Sequence, residues 1–178
     1  MMTNSYPKWA KTQLMRDYYD QHWGIPVHNE QELFMMLSLE IFQAGLSWST
    51  IWQRRNGFIK AFAEFDVAQI AQFNEEKVEQ LMADPQIIRN RRKILATINN
   101  AQVLNQLHQT GKTLEHFLWS FVNGQPIRMK VQPDEKLPSF TPLSTVISQQ
   151  LKRAGFQFVG PTTVFSLMCA VGVVNCRL

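Results

Sequence analysis

Apolar residues in this chain recur three and four positions apart, while the period-two alternation of a half-buried strand is nearly absent. Such spacing gathers side chains along one face of a helix and along neither face of a strand, which confines the chain to a helical fold. The helix signals agree with it. Asn29 followed by Glu32 reads as a capping box opening a helix that carries Leu33, Met36, Leu37 and Glu40. Asp66 and Asn74 read as N-caps of two short helices, the second turning Val78, Leu81 and Met82 inward. Asp84-Pro85 stops that helix, because proline disfavours the α conformation in the residue before it. A longer helix follows with Ile94, Leu95, Ile98, Val103 and Leu107, and Thr113 caps another with Leu114, Phe117, Leu118 and Phe121. Beyond a proline-rich crossing loop over 124–142, two last helices are expected over 143–153 and 162–173. With no repeat, low-complexity tract or break in composition, the expectation is one all-α domain over 1–178, built from about eight to ten short helices.

Composition narrows the function classes. The 178 residues suffice for a single domain with a real core, and 45% of them are hydrophobic. Charged residues make up 18%, below the roughly 25% usual for soluble domains, so a disordered chain is excluded. The net charge of +4 suits a polyanionic partner without demanding one. Two cysteines, Cys169 and Cys176, rule out a disulfide scaffold and fit a reducing cytoplasm. Neither has the second Cys or His pair that a tetrahedral zinc site requires. Residues 1–8 lack the apolar core of a signal peptide. The longest apolar stretch, 164–174, is broken by Ser166 and falls well short of the ~20 residues that span a bilayer. No membrane association is expected.

Several residues invite chemistry. Glu40 lies between Leu39 and Ile41 in the most apolar helix of the N-terminal half. It either points to solvent or is a buried carboxylate, costly unless a cation or hydrogen-bond donors meet it. In Gln43-Ala44-Gly45-Leu46-Ser47-Trp48, Gly45 is expected to end the helix in the left-handed conformation and leave Leu46 at an exposed tip. Ser47 then caps a helix bearing Trp48, Ile51 and Trp52. An apolar tip residue is either a plug for the core or a wedge for a base stack. Trp9, Tyr18, Tyr19 and Trp23 are either core or a stacking box for a planar ligand. Basic residues gather over 87–94, with Arg89, Arg91, Arg92 and Lys93 around a turn between helices. They form either a solvated helix face or a phosphate anchor that Arg54, Arg55, Lys152 and Arg153 would extend. No Ser-His-Asp order, Walker-type glycine loop or HExxH pattern is present, and the four histidines are scattered.

Five groups of residues keep a common order and spacing. They are Tyr18 with Trp23-Gly24-Ile25-Pro26; Leu39-Glu40 with Gln43-Ala44-Gly45-Leu46-Ser47-Trp48; Ile87-Ile88-Arg89-Asn90-Arg91 with Lys93-Ile94; Trp119-Ser120-Phe121; and Gly155-Phe156 with Phe158-Val159-Gly160-Pro161-Thr162-Thr163, then Val173-Val174-Asn175. Together they resemble the type I 3-methyladenine DNA glycosylase family over nearly the whole chain. The resemblance implies a helix-hairpin-helix glycosylase fold and excision of alkylated adenine from double-stranded DNA, and no cofactor is expected for this chain. It would set Glu40 to hydrogen-bond the flipped base, Trp48 to stack on it, Tyr18 to contact it and Trp9 to close the pocket. Gly45 and Leu46 would approach the gap left in the duplex, and the turn bearing Arg89, Arg91 and Lys93 would grip phosphates. Alkylation at N3 makes adenine cationic and a good leaving group, so such an enzyme must extrude and recognise the base rather than supply a strong acid. A desolvated Glu40 favours that cation over neutral adenine. Water would be the nucleophile, and with no lysine at the matched pocket positions no lyase step is expected.

The resemblance is not complete. It implies a zinc site at positions held here by Pro7, Tyr19 and Arg177, with nothing after Leu178 to supply a fourth ligand. The expectation is no metal, packing of the N-terminal segment in its place, and no role for Cys176. Met15 stands where the family has a second pocket tyrosine and Gln86 where it has a hairpin glycine, and the acidic residue expected near Thr145 is missing. Two other readings stay open, a non-catalytic binder of alkylated or distorted DNA and an all-α protein-interaction module. A monomer is expected for an enzyme that scans duplexes.

Overall fold

The structure, a computed structural model, describes residues 6–178. Among these residues, ten α-helices follow one another: α1 (Gln13–Gln21), α2 (Glu30–Gln43), α3 (Trp48–Gln53), α4 (Arg55–Ala61), α5 (Val67–Ile70), α6 (Glu75–Ala83), α7 (Arg91–Gln109), α8 (Leu114–Ser120), α9 (Pro142–Ala154) and α10 (Pro161–Ala170). The expected N-caps are in place, though Asn29 forms only its own half of the expected capping box, and the reciprocal pair occurs instead at Thr141 and Ser144. Asn29, Asp66, Asn74 and Thr113 each accept a hydrogen bond from the backbone N–H three residues on. Among the described residues the only departure from an all-α fold is a parallel pair of two-residue strands, β1 (Ile127–Arg128) and β2 (Val174–Asn175), which ties the crossing loop to the C-terminal segment.

Helix α2 is the axis of the molecule. Every residue from 33 to 42 is buried, so the helix is enclosed on all sides rather than amphipathic. Helices α3, α7, α8 and α10 pack around it. Its first residue anchors it: the Glu30 carboxylate accepts from the N–H groups of Leu114 and Glu115 at 2.7 and 2.8 Å and meets His108 Nε2 at 2.6 Å. A negative charge at the start of α8 answers the exposed N–H groups there. Helix α10, with Val164, Leu167 and Met168 fully buried, lies between α9 and α2. Each such side chain contributes roughly 1.5–3 kcal/mol by leaving water, so these two apolar helices hold the fold.

Three local expectations are corrected. Helix α10 ends at Ala170 rather than at 173, because Gly172 adopts φ +78° where the chain passes Pro26; a Cβ there would fall 2.6 Å from the Pro26 nitrogen. Leu95 is 43% exposed, since the inward face of α7 is set by Ile94, Ile98 and Ala101. Helix α2 ends at Gln43 in a tight turn, with Ala44 at φ −52°, ψ 117° and Gly45 at φ +84°. The Leu46 N–H closes that turn on the Gln43 carbonyl at 2.7 Å, so Gly45 is left-handed as expected but sits within a type II turn rather than capping the helix itself.

Candidate active site

A cavity of about 350 Å³ opens where α1, α2, α3 and α10 converge, roofed by Leu137 and Pro138 of the crossing loop. Glu40 lies in its wall, 5% exposed, and no described residue donates a hydrogen bond to its carboxylate. Burial alone pushes that carboxyl from 4.5 to about 8. Of the two readings of Glu40, the structure selects the buried one, because α2 is covered on every face. Ser38, the other polar residue of this stretch, satisfies itself by donating to the Phe34 carbonyl at 2.8 Å. Glu40 has no comparable outlet.

Aromatic rings form the rest of the wall. Tyr18, buried on α1, lies 5.5 Å from Trp48 and 4.4 Å from Trp52, ring centre to ring centre. Burial first, and the Glu40 charge second, hold its phenol well above the ordinary tyrosine range. Trp9 stands 6.0 Å from Tyr18 and 5.4 Å from Trp23, at the rim. The Trp48 indole Nε1 is buried near the Tyr18 hydroxyl without a well-formed hydrogen bond among the described residues, and its N–H pulls the Tyr18 phenol partly back down. The cavity thus presents a dry carboxyl and a buried indole donor between flat apolar faces, a slot for a planar polar cation. Tyr18, Glu40, Trp48 and Trp9 are all brought together here, with Met15 lining the cavity beside them. Sequence reasoning missed Phe165, Ser166 and Cys169, which line the cavity from α10, and the roof from the crossing loop. Nothing local signals a contact between segments so far apart in the chain. Cys176 also packs against Cys169, their sulfurs 3.4 Å apart.

Around the cavity mouth the expected DNA-facing residues divide. Ser47 caps α3 by accepting from the Thr50 N–H at 3.2 Å, and the preceding turn leaves Leu46 exposed at its tip beside the cavity. Arg89 is exposed on the turn between α6 and α7. Arg91 is paired with Glu75 and Glu79 of α6, so a phosphate would compete with two carboxylates for it. Lys93 does not stand on that surface. It is 7% exposed, and its Nζ donates to the carbonyls of Phe42 and Ala44 at 2.9 and 2.6 Å, because the first turn of α7 packs over the end of α2. A second helix–turn–helix carries Lys152 and Arg153, the pair expected to extend the basic strip, at the end of α9. Helices α9 and α10 are joined by a turn that opens with Gly155 at φ +104° and ends at Gly160, where α10 begins without a side-chain cap. Pro161 has no N–H, and the first turn of α10 leaves the N–H groups of Thr162 and Thr163 without an intrahelical partner, while Lys152 and Arg92 flank Gln157 and Phe158 of the turn before it. Glycine after one helix and proline at the start of the next is the signal that marks it.

The residues at the resembled zinc positions do not suit a metal. Pro7 offers no donor atom and Arg177 is a permanent cation. Among the described residues no group of three or more His, Cys, Asp and Glu is placed to hold an ion. Instead the Arg177 guanidinium lies 4.3 Å over the Tyr19 ring and donates to the carbonyls of Tyr19 and Trp23. The Leu178 N–H adds a bond to the Tyr19 hydroxyl at 3.0 Å. This clasp fixes the end of α1, against which Trp9 packs.

The sequence matches the methyladenine glycosylase family over residues 9–178. It is 42% identical over 158 residues to the DNA-3-methyladenine glycosylase 1 of Escherichia coli, covering 89% of this chain and 84% of that protein. It is 35% identical over 177 residues to the DNA-3-methyladenine glycosylase of Haemophilus influenzae, covering 99% and 96%. The fold is similar to that of the 3-methyladenine DNA glycosylase I from Staphylococcus aureus, solved to give the structural basis of 3-methyladenine recognition, with a TM-score of 0.90 and 34% identity over 94% of this chain and 89% of that one.

Proposed function

The chain belongs to the methyladenine glycosylase family, and on that premise we propose that it is a monofunctional DNA-3-methyladenine glycosylase that takes the damaged base out of the duplex and releases it by hydrolysis. The observation that carries this reading is the dry, unbonded Glu40 carboxyl in the wall of an aromatic slot. A neutral adenine in that slot leaves Glu40 without compensation, whereas a cationic N3-methyladenine supplies the missing charge and draws the carboxyl back to its ionised form. At ~4 Å and an effective dielectric of about 20 such a pair is worth roughly 4 kcal/mol, enough to tell lesion from normal base. Trp48 stacks on the base, Tyr18 contacts its edge and Trp9 closes over it. The bond between the sugar C1′ and the base N9 breaks with its electrons going to the base. Water adds to C1′ and gives up a proton, leaving an abasic site. No lysine lines the cavity, which supports hydrolysis without a lyase step.

Outside the pocket, Gly45 and Leu46 fill the space the base leaves, and Arg89 and Arg91 with the N-terminus of α10 meet the phosphates. The reading makes the protein a single unit over 1–178, acting as a monomer on double-stranded DNA in the cytoplasm, with no cofactor. Among the described residues no helix is long and apolar enough to cross a membrane.

The test is release of 3-methyladenine from methylated duplex DNA, measured by chromatography, for the wild-type protein and Glu40→Gln. The wild type is expected to release the base and the variant to be at least about 100-fold slower while remaining folded. Equal inertness of the two proteins defeats the reading, and lesion-selective binding without release would make the protein a binder instead.

A further inference from the structure

Lys93 is a buried lysine that makes no ion pair among the described residues. Its backbone N–H belongs to the start of α7, where Asn90 caps it at 3.1 Å, three residues beyond the turn that carries Arg89 and its neighbours. Its side chain belongs to another element, reaching across to the carbonyls of Phe42 and Ala44 at 2.9 and 2.6 Å. The last carbonyls of a helix lack intrahelical donors and carry its negative end, so a cation there is held by two charge-assisted bonds. Those carbonyls flank Gln43, and the turn they lead into is the one that presents Leu46. Gln43 closes the same turn by donating from Nε2 to the Leu46 carbonyl at 2.8 Å.

Two further contacts join these segments. Arg54 donates to the Pro85 carbonyl at 2.9 Å, and Gly57 passes so near the turn that a Cβ there would lie 2.5 Å from the Gln86 carbonyl oxygen. The α6–α7 turn is therefore locked to the residues on both sides of Leu46, and to the end of the helix that carries Glu40. We propose that Lys93 is a positioning residue, which holds the Leu46 tip at a fixed height above the cavity and in fixed register with the α6–α7 turn, so that gripping the backbone and entering the base stack occur in one docking. The proposal rests on the reading that Leu46 enters the duplex. It replaces the expectation that Lys93 itself binds phosphate.

Five proteins test it, the wild type, Lys93→Gln, Lys93→Arg, Leu46→Ala and the Lys93→Gln/Leu46→Ala double variant, each checked for folding by thermal unfolding. Two readouts are taken on one duplex. One is base release, and the other is the fluorescence of a 2-aminopurine next to the lesion, which rises when the stack opens. Lys93→Gln is expected to lower kcat and the fluorescence rise by about tenfold, with little further loss in the Leu46→Ala background. Its salt dependence of duplex affinity should match the wild type, whereas loss of a phosphate contact would cut the slope by about 0.9. Lys93→Arg, which keeps a cationic donor at the same carbonyls, should restore most of the opening, and it carries the test if Lys93→Gln does not fold. Additive losses, a reduced salt slope, or unchanged opening in Lys93→Gln would each overturn the proposal. A wild type that opens the stack but releases no base would defeat the glycosylase reading alone.

Discussion

Glu40 is placed where its ionisation costs most, and that cost has a measurable signature. Folded, the carboxyl titrates near 8 against an ordinary 4.5, so between those values the native state holds a proton the unfolded chain has lost. Its contribution to stability is whole below about pH 4.5 and is lost as the pH rises toward 8, at up to about 1.4 kcal/mol per pH unit. Glutamine has no such titration. The melting temperature of Glu40→Gln should therefore gain on the wild type steadily from pH 5 to pH 8, and a constant offset would show that the carboxyl is not dry. Trp48 offers a second measure. Removing its ring by Trp48→Ala should cost roughly 1–3 kcal/mol of base stacking, seen as about a 5- to 150-fold drop in kcat/KM on methylated duplex with little change in affinity for undamaged DNA.

At the scale of the elements, what the sequence discloses is what the chain does locally. Asn29, Asp66, Asn74 and Thr113 bond to residues three positions on, so their roles could be read from the order of residue types. Residue order also foretold that Leu46 would stand at a tip, because glycine two positions after the end of α2 permits the reversal. The end of α10 could not be read in this way, since it is decided by Pro26, almost 150 residues earlier in the chain. Nor could Lys93, whose place in a basic run suggested solvent while its partners lie 51 and 49 residues away. Gly172 makes that long-range constraint testable. Gly172→Ala forces a side chain into a left-handed residue and against the Pro26 backbone, and should destabilise the protein by on the order of 2–4 kcal/mol in chemical denaturation. A neutral result would mean that the segment before α2 can shift away from α10.

Over the whole molecule the candidate site was legible in its residue types and order, while its enclosure was not. Tyr18, Glu40 and Trp48 carry the resemblance, but the cavity also needs α10 and the crossing loop, and its aromatic rim needs Arg177. The clasp at Tyr19 predicts that Arg177→Ala lowers the melting temperature and weakens base release without any metal being lost, and that a strong chelator leaves the wild-type rate unchanged. A chelator that stops the reaction would instead point to a metal bound by residues other than these. The guanidinium of residue 177 also closes a loop back to Tyr19, 158 positions earlier. A growing chain on the ribosome therefore exposes Glu40 and its neighbours long before the brace behind Trp9 exists. On the proposed reading, the slot gains its braced rim only after residue 177 has left the ribosome, and a shorter nascent chain carries the acidic group without that cage.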